Sequence, residues 1–415
     1  MDINDVLQAI NERYFAAIIG GHLRYFEDRF PLQGMNDQAM TFTLAPNTVQ
    51  IPNNTGFRNE PAFKHWKVWR ERRFYPDGFV LDANVEGHKE RAYNLWQGYG
   101  VVPEKGDITP FKQHLELVEP AAREYVWKWL CWVVQNPADK PKVALVLRGE
   151  EGVGKGFIGQ ALVRLFGEHA MQLTQRRHVT GNFNAHLRHI CLLFADEADF
   201  TGGDGEGVLK TLITEETMSI EAKGIDVRQE RSHVAMFMST NHDWAIPAGL
   251  GARRFVVADI SNERKRDSEY FGALFGWLEG EGASHLLAAA LAEDLSDWHP
   301  EKDRVVTSAL AEQKINSLKG LNKVLFNLLW EGNAPSEIPT SWFVSEAVKE
   351  GEKQNVPMLL SHRLRKSGWK KTRRPGWQPP ASLAEAREAL FPGTAWPEGG
   401  DQWLRYDSFT DEVPF

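Results

Sequence analysis

The chain is poor in cysteine and has no long apolar run. Its two cysteines, Cys131 and Cys191, both lie in apolar stretches of a sequence of 415 residues, so neither a disulfide framework nor a cysteine-based metal cluster is expected. No apolar stretch approaches the ~18 residues of a membrane-spanning helix, and the residues after Met1 form no basic, apolar leader. We therefore expect a cytoplasmic protein with no membrane partner.

An excess of positive charge is also missing. The formal net charge is −8 and the isoelectric point is near 5.9, so contact with nucleic acid must come from a local basic lining rather than from the overall field. The remaining composition, 42% hydrophobic and 25% charged, is that of an ordinary globular protein long enough for two or three domains. The sequence contains no repeat or low-complexity segment.

A glycine-rich turn follows an apolar run within Val143–Phe157. The run is short enough for a buried strand, and a helix-forming segment follows the turn. Glycines in the turn let the backbone approach an oligophosphate, so that its N–H groups and the positive end of the next helix face the anion. Lys155 would then reach the outer phosphates. The predicted ATP-phosphate contacts are Gly149, Glu150, Glu151, Gly152, Val153, Gly154, Lys155, Gly156 and Phe157.

Gly156 departs from the usual form of such a loop. Serine or threonine normally follows the lysine and places a hydroxyl on magnesium. A glycine-rich turn is weak evidence by itself, because many strand-to-helix turns use glycine for their geometry. That simpler alternative becomes less favoured because an acidic strand follows in the sequence.

The acidic strand is the apolar run Ile190–Ala195, which ends in Asp196 and Glu197. Asp196 is expected to hold Mg²⁺, directly or through water, and Glu197 to polarise the water that attacks the γ-phosphate. A solvated strand end is the alternative. The glycine turn and the acidic strand together predict an NTPase that uses ATP and Mg²⁺.

Asparagine and arginine complete the predicted catalytic set. Asn241 ends a third apolar strand, where its amide can orient the attacking water, although asparagine is also a common turn former. Arg253 and Arg254 offer the rigid, permanently charged fork that suits a phosphoryl transition state, supplied by a neighbouring subunit as an arginine finger. Surface ion pairing is the alternative for either arginine. The predicted catalytic residues are Lys155, Asp196, Glu197, Asn241, Arg253 and Arg254.

A predicted hairpin lies between the acidic strand and the asparagine strand. The pattern of Leu209–Glu230 predicts a short helix followed by two strands that meet at Lys223 and Gly224. A lysine beside a turn glycine can point one positive charge at a DNA backbone. A solvent-facing turn lysine is the alternative, and it would be preferred without further context.

Two basic segments interleave their charges with aromatic residues. Lys64–Tyr75 has five basic residues and one acidic residue, which suits single-stranded nucleic acid, but an amphipathic helix with buried tryptophans is slightly favoured. Ser361–Trp377 has seven basic residues, no acidic residue and two tryptophans. Since helix-like segments precede it, a winged helix that meets duplex DNA is favoured over a solvated face whose tryptophans pack in the core of the small domain. The expected DNA contacts are Lys370, Lys371, Arg373 and Arg374.

Periodicity divides the chain into four parts. Residues 1–105 read as a small α+β domain and residues 106–140 as a helical linker or collar. Residues 141–300 alternate apolar strands with helical segments, as a mainly parallel α/β sheet does. Residues 301–415 read as a separate winged-helix-like domain.

The order of these elements resembles the superfamily 3 helicases, the AAA+-related ring motors of small viruses, phages and plasmids. Within them it looks like the helicase part of phage and prophage primase-helicases. The resemblance implies an α/β fold with an AAA+-like P-loop ATPase core over residues 141–300. It is strongest over residues 60–262, and the matching stretches within the core are Gly149–Phe157, Gly181–Leu187, Leu193–Ala198, Leu209–Gly224, Ser239–Asn241 and Ala252–Phe255.

The resemblance also implies partners and a role for each matching position. Members of this type hydrolyse ATP as hexamers and translocate on single-stranded DNA, which implies a homo-hexamer in a bacterial host cytoplasm. Two departures are Gly156 and the lack of a preceding primase or polymerase segment, so primase activity is expected on another protein unless the sequence is a fragment. The matching positions are Lys155 (phosphate loop), Asp196 and Glu197 (acidic pair), Asn241 (sensor), Lys223 (DNA-binding hairpin of the ring channel) and Arg253 or Arg254 (finger).

The sequence thus predicts an ATP- and magnesium-dependent DNA helicase. It would work as a ring on single-stranded and forked DNA during replication of a phage, prophage or mobile element. Two alternatives stay open: a ring ATPase that loads or remodels replication proteins, and a DNA-binding initiator in which Gly156 impairs ATP turnover.

Overall fold

The structure is a computed structural model of the whole chain. It describes all residues except 1, 55, 85–86, 174–183, 198–204, 223–224, 242–253, 306, 308–317, 354, 393–395, 397–401 and 405–415.

The N-terminal part mixes short helices and strands. Its first two strands form a hairpin: Phe15 pairs with Phe26 in an antiparallel ladder, and a third strand extends this sheet on its other side in the order β2-β1-β5. Leu7 and Ile10 of the first helix are buried against it. The elements are α1 (Ile3–Arg13), β1 (Tyr14–Ile19), β2 (His22–Glu27), α2 (Asp37–Thr43), β3 (Thr48–Asn53), β4 (Gly56–Pro61), α3 (Ala62–Trp66), β5 (Phe74–Tyr75), β6 (Phe79–Val80) and β7 (Tyr93–Asn94).

The predicted collar consists of two helices, α4 (Thr109–Leu115) and α5 (Pro120–Gln135). Each has proline in its first turn, where a missing N–H is tolerated. Trp129 of α5 is fully buried, and its indole N–H donates to the Val143 carbonyl at 3.0 Å. The collar therefore packs directly on the entry to the central sheet.

The central sheet has five parallel strands, as predicted from the alternating apolar segments. Its spatial order is β14-β8-β13-β10-β9, so the strand that Asn241 follows lies between the glycine-loop strand and the acidic strand. The elements of this region are β8 (Ala144–Arg148), α6 (Lys155–Phe166), β9 (Ala170–Leu173), β10 (Leu192–Asp196), α7 (Gly205–Thr214), β11 (Thr217–Ala222), β12 (Ile225–Arg231), β13 (Ala235–Thr240) and β14 (Phe255–Asp259), with short 3₁₀ turns at Gly167–His169, Ala185–His189 and Asn262–Arg264.

Both faces of this sheet are buried, which explains why its strands are apolar runs without alternation. Leu145 and Leu147 face a cluster that includes α5 and α6, whereas Ala144 and Val146 face a second cluster with α7 and β11. Phe15 of β1 belongs to the first cluster. The N-terminal part and the sheet therefore share one continuous core.

The chain continues into two helices and then a small unit with its own core. This unit has the order helix, strand, helix, helix, strand, strand, helix, and its three strands form one sheet. Its core contains the two tryptophans of the basic segment, Trp369 and Trp377. The elements are α8 (Ser268–Trp277), which a π turn (Leu278–Gly282) joins to α9 (Ala283–Ala292), then α10 (Gly320–Glu331), β15 (Ile338–Pro339), α11 (Thr340–Lys349), α12 (Val356–Lys366), β16 (Lys370–Lys371), β17 (Gly376–Gln378) and α13 (Leu383–Leu390).

In the N-terminal basic segment, Trp66 is buried as the structural alternative predicts, whereas Trp69 is half-buried; contact of this segment with nucleic acid stays a prediction. Trp66 is fully buried and donates its indole N–H to Asn11 at 3.2 Å. Lys67 and Arg73 are ion-paired with Asp37 and Asp28. The prediction of one amphipathic helix is wrong in extent, because α3 ends at Trp66 and the chain continues in turns to β5. Within the described residues, no helix is long and apolar enough to cross a membrane.

Candidate functional site

The glycine turn connects the central strand β8 to the first turn of α6. Gly152 and Gly154 have φ of +83° and +96°, a region that favours glycine. Gly149 is required for another reason, since a Cβ there would lie 2.7 Å from the Ile260 side chain. The turn therefore holds a tight curve that leaves the N-terminus of α6 at the carboxyl edge of the sheet, where anions bind.

Lys155 lies in this turn and is almost fully buried, with 5% of its surface exposed. Its ammonium group donates to the carbonyls of Gly149 and Glu150 at 2.8 and 2.7 Å. Burial lowers the pKa of Lys155, while Glu197 and Asp196 oppose that shift. Lys155 is thus fixed at the end of the loop, where the negative charges of Asp196 and Glu197 favour its protonated form.

Asp196 ends β10, two strands away from the loop strand. Its Oδ1 accepts a hydrogen bond from the Ser239 hydroxyl at 2.5 Å, and its Oδ2 accepts from the Gln172 amide at 3.2 Å. These neighbours belong to β13 and β9, so three adjacent strands fix the carboxylate. Ser239 was not singled out from the sequence, because only the strand pairing brings it opposite Asp196.

Glu197 and Asn241 meet at the same edge. The Asn241 amide donates to Glu197 Oε1 at 3.3 Å, and the Glu197 N–H donates to the Ser239 carbonyl at 2.9 Å. Glu197 has φ of +54°, a backbone conformation that residues other than glycine rarely adopt. Residues that do adopt it cluster at functional sites. Glu197 is exposed, so its carboxylate is available to a water molecule.

The residues present fit a magnesium ion that triphosphate oxygens and water help to hold. Asp196 offers carboxylate oxygen, a ligand that Mg²⁺ prefers, and such sites commonly use only one or two protein carboxylates. A Cβ built on Gly156 meets no atom within 4 Å. There is therefore space at position 156 for the side chain that usually carries the magnesium-binding hydroxyl.

The rim of the loop is held by a segment that the sequence did not identify. Asn262 donates to Glu150 Oε1 at 2.5 Å, and the Lys265 ammonium is ion-paired with Glu150 Oε2. The Arg266 N–H donates to the Gly152 carbonyl at 2.9 Å. Lys265 lowers the pKa of Glu150. The Glu150 side chain is thus engaged by this segment, although it was predicted to contact phosphates.

His114 of α4 lies behind the loop and was also missed. It is fully buried, and its two ring nitrogens lie 3.0 Å from the Gly154 carbonyl oxygen and 3.2 Å from the Tyr270 hydroxyl. Burial lowers the pKa of His114 to about 4. No sequence signal marks it, because the collar and α8 come together at the loop only in the folded chain.

Arg254, one of the two candidate finger arginines, does not join this site within its own chain. Arg254 immediately precedes β14, and its carbonyl accepts from the Ala144 N–H at 2.8 Å, at the entry to β8. It therefore lies at the edge of the sheet opposite to the glycine turn. Arg253 lies outside the described residues.

The predicted DNA contacts lie in two places. β11 and β12 form the expected antiparallel hairpin, but Lys223 and Gly224 at its tip lie outside the described residues. The basic residues of the C-terminal unit that were predicted to contact DNA are all exposed, while its tryptophans Trp369 and Trp377 are buried. These predicted contacts are Lys370, Lys371, Arg373 and Arg374.

The fold and the site define a mixed α/β protein whose glycine loop, acidic pair and asparagine occupy one edge of a parallel sheet. Residues 147–254 match a family described as one of unknown function (DUF5906). This match contains the glycine turn, the acidic pair and Asn241.

The chain is related in sequence to the DNA primase-polymerase of Nitratiruptor phage NrS-1. The two are 21% identical over 234 residues, which cover 55% of this chain and 31% of the phage protein. The match therefore spans about a third of that relative's length.

The fold is that of the C-terminal region of the NrS-1 protein. One apo structure of that region superposes with a TM-score of 0.64 at 14% identity, covering 91% of this chain and 98% of the other. A second, in an A form, gives a TM-score of 0.60 at 17% identity and covers 95% of this chain and 92% of the other. The similarity extends over nearly the whole chain, including both flanking parts.

Proposed function

We propose that this protein is an ATP-dependent DNA helicase of the superfamily 3 type, which acts in replication of a phage, prophage or mobile element. One observation carries the proposal: Lys155, Asp196 and Asn241 follow or end three adjacent parallel strands and meet at one edge of the sheet. In the strand order, the strand before the asparagine lies between the strand of the lysine loop and the strand of the acidic pair, which supports a shared role in ATP hydrolysis. The relationship to a phage DNA primase-polymerase supports the setting in replication.

The proposed chemistry assigns one task to each group. The loop N–H groups and Lys155 bind the β- and γ-phosphates. Glu197 accepts a proton from the water whose oxygen attacks the γ-phosphorus, while the bond to the ADP oxygen breaks and Asn241 fixes the carboxylate. Magnesium, held by Asp196 and the phosphates, would neutralise charge on the transferred group.

The position of Arg254 supports action between subunits. It precedes a strand of five residues, and at ~3.3 Å per residue the strand separates it from its own loop by roughly 16 Å. It therefore cannot serve its own site, whereas a neighbouring protomer in a ring could receive it. A homo-oligomer, with the hexamer as its expected form, follows from this assignment of Arg253 or Arg254 as a finger.

DNA contact is proposed at the hairpin tip and in the C-terminal unit. In a ring, the tips of β11–β12 would line the channel, where Lys223 and Gly224 would follow one strand. The order of elements in the C-terminal unit and its solvent-accessible cations support a winged helix that binds the duplex ahead of the motor.

The decisive experiment compares fork unwinding and ATP hydrolysis in the wild type, Lys155→Ala, Glu197→Gln and Lys223→Ala. The first two variants are expected to lose hydrolysis and unwinding. Lys223→Ala is expected to keep basal ATP hydrolysis but to lose unwinding. A chain that binds ATP without releasing phosphate would instead be an initiator, and one whose hydrolysis ignores DNA would be a remodelling ATPase.

A further inference from the structure

His114 makes an unusual contact for a residue of a collar helix. It reaches the last glycine of the loop and is completely shielded from solvent. A Cβ on Gly154 would collide with its imidazole ring. Glycine at 154 therefore provides both the left-handed backbone and the space that the ring fills.

Both ring nitrogens have partners, and these partners determine the tautomer. The Gly154 carbonyl can only accept, so His114 Nε2 carries the hydrogen and donates at 3.0 Å. Nδ1 then accepts from the Tyr270 hydroxyl at 3.2 Å. Tyr270 belongs to α8, so the ring links the collar, the loop and the helix that follows the sheet.

The hydrogen bond from His114 to Gly154 can influence phosphate binding because it constrains the orientation of the peptide unit. In a trans peptide the C=O and the following N–H point in opposite directions. A carbonyl of Gly154 held toward His114 therefore directs the N–H of Lys155 away from His114, toward the open side of the loop. That N–H is one of the unpaired donors at the start of α6 that an anion can use.

We propose that His114 is a positioning residue for the nucleotide, which orients the Gly154–Lys155 peptide through its Nε2–H while Tyr270 fixes the ring. This inference rests on the proposed binding of ATP at the loop. It makes the collar part of the nucleotide site, so a movement of the collar relative to α6 would change affinity for ATP.

The test uses two amides of different reach at position 114. In His114→Gln the side-chain amide nitrogen can occupy the Nε2 position and donate to Gly154, whereas in His114→Asn it reaches only the Nδ1 position. Binding of a fluorescent, non-hydrolysable ATP analogue, KM and kcat are measured for both variants and for Tyr270→Phe, with Lys155→Ala as reference.

We expect His114→Asn to weaken analogue binding and raise KM by about 10-fold or more, the usual effect of losing a buried hydrogen bond. His114→Gln should stay within about threefold of the wild type, and Tyr270→Phe should fall between them. Equal affinities for the Gln and Asn variants, at equal melting temperatures, would overturn the inference. If the wild type and Lys155→Ala bind the analogue equally, the proposed function itself fails. If His114→Asn does not fold, the test depends on His114→Gln. A folded His114→Gln variant whose affinity falls as far as that of Lys155→Ala would overturn the positioning role.

Discussion

The amide of Asn241 donates a hydrogen bond to the carboxylate of Glu197 across two neighbouring strands, at 3.3 Å. This contact joins the end of β13 to the end of β10. It places the carboxylate beside the glycine loop and holds it there by a group that bears no charge. The amide therefore orients Glu197 through a hydrogen bond and not through an ion pair.

Asn241→Ala should reduce kcat about 10- to 100-fold with little change in KM, because the contact acts on the water and not on the bound phosphates. Steady-state ATP hydrolysis checks this, with the melting temperature as a control for folding. A rise in KM with unchanged kcat would assign Asn241 to binding instead.

Gly156→Ser should lower the magnesium concentration needed for half-maximal hydrolysis. The new side chain enters open space, and its hydroxyl can reach the ion as in the usual loop. Gly156→Ala is the matched control, since it adds the Cβ and helix propensity without a ligand. Equal magnesium dependence of the Ser and Ala variants would contradict the expectation.

Neutral replacements in the C-terminal unit should weaken binding of duplex DNA without affecting its stability. The residues to be changed to Gln lie on or beside β16: Lys370, Lys371, Arg373 and Arg374. The slope of log K against log salt should become shallower by roughly 0.9 for each DNA phosphate that the variant no longer neutralises. Lys349→Gln on α11 serves as a control for net charge, and an unchanged slope in the fourfold variant would place the DNA elsewhere.

Asp259→Asn should destabilise the sheet by about 2 kcal/mol, since it removes a carboxylate charge that is ion-paired with a buried arginine. Arg148 donates to both oxygens of Asp259, at 2.6 and 2.8 Å, and only 10% of the arginine side chain is exposed. The change is expected in the free energy of unfolding by urea. Asp139→Asn breaks an exposed ion pair with Arg231 and should lower the free energy of unfolding by less than about 1 kcal/mol. Equal losses of unfolding free energy in the two variants would contradict this expectation.

Stability should fall as the pH drops from about 6.5 toward 4, partly because of His114. Burial lowers the pKa of this histidine to about 4 in the folded chain, so the unfolded chain binds a proton that the folded one does not. The stabilisation is fully present above pH 6.5 and is lost as the pH falls, by about 3 kcal/mol at most for this group. His114→Gln should show a smaller loss over this range, and parallel curves for the two proteins would refute the assignment.

Local patterns in the sequence were sufficient to predict much of the core and part of the site. The apolar runs that end at Arg148, Asp196 and Thr240 predicted buried parallel strands, because strands buried on both faces are apolar throughout. The glycines of the loop predicted its turn, because only glycine readily adopts the left-handed backbone found at 152 and 154. The hairpin of β11 and β12 and the helices on both sides of the sheet were likewise predicted from periodicity.

Only the tertiary structure decided which distant side chains meet at the loop. Ser239 reaches Asp196 through strand register, Lys265 reaches Glu150 through the turn after β14, and His114 reaches Gly154 through packing of the collar. None of these contacts leaves a local pattern, because each depends on elements far apart in the chain. The position of Arg254 at the edge opposite to the glycine turn has the same origin. Sequence spacing does not show which end of a strand faces which edge of the sheet, whereas the parallel pairing of β14 with β8 does.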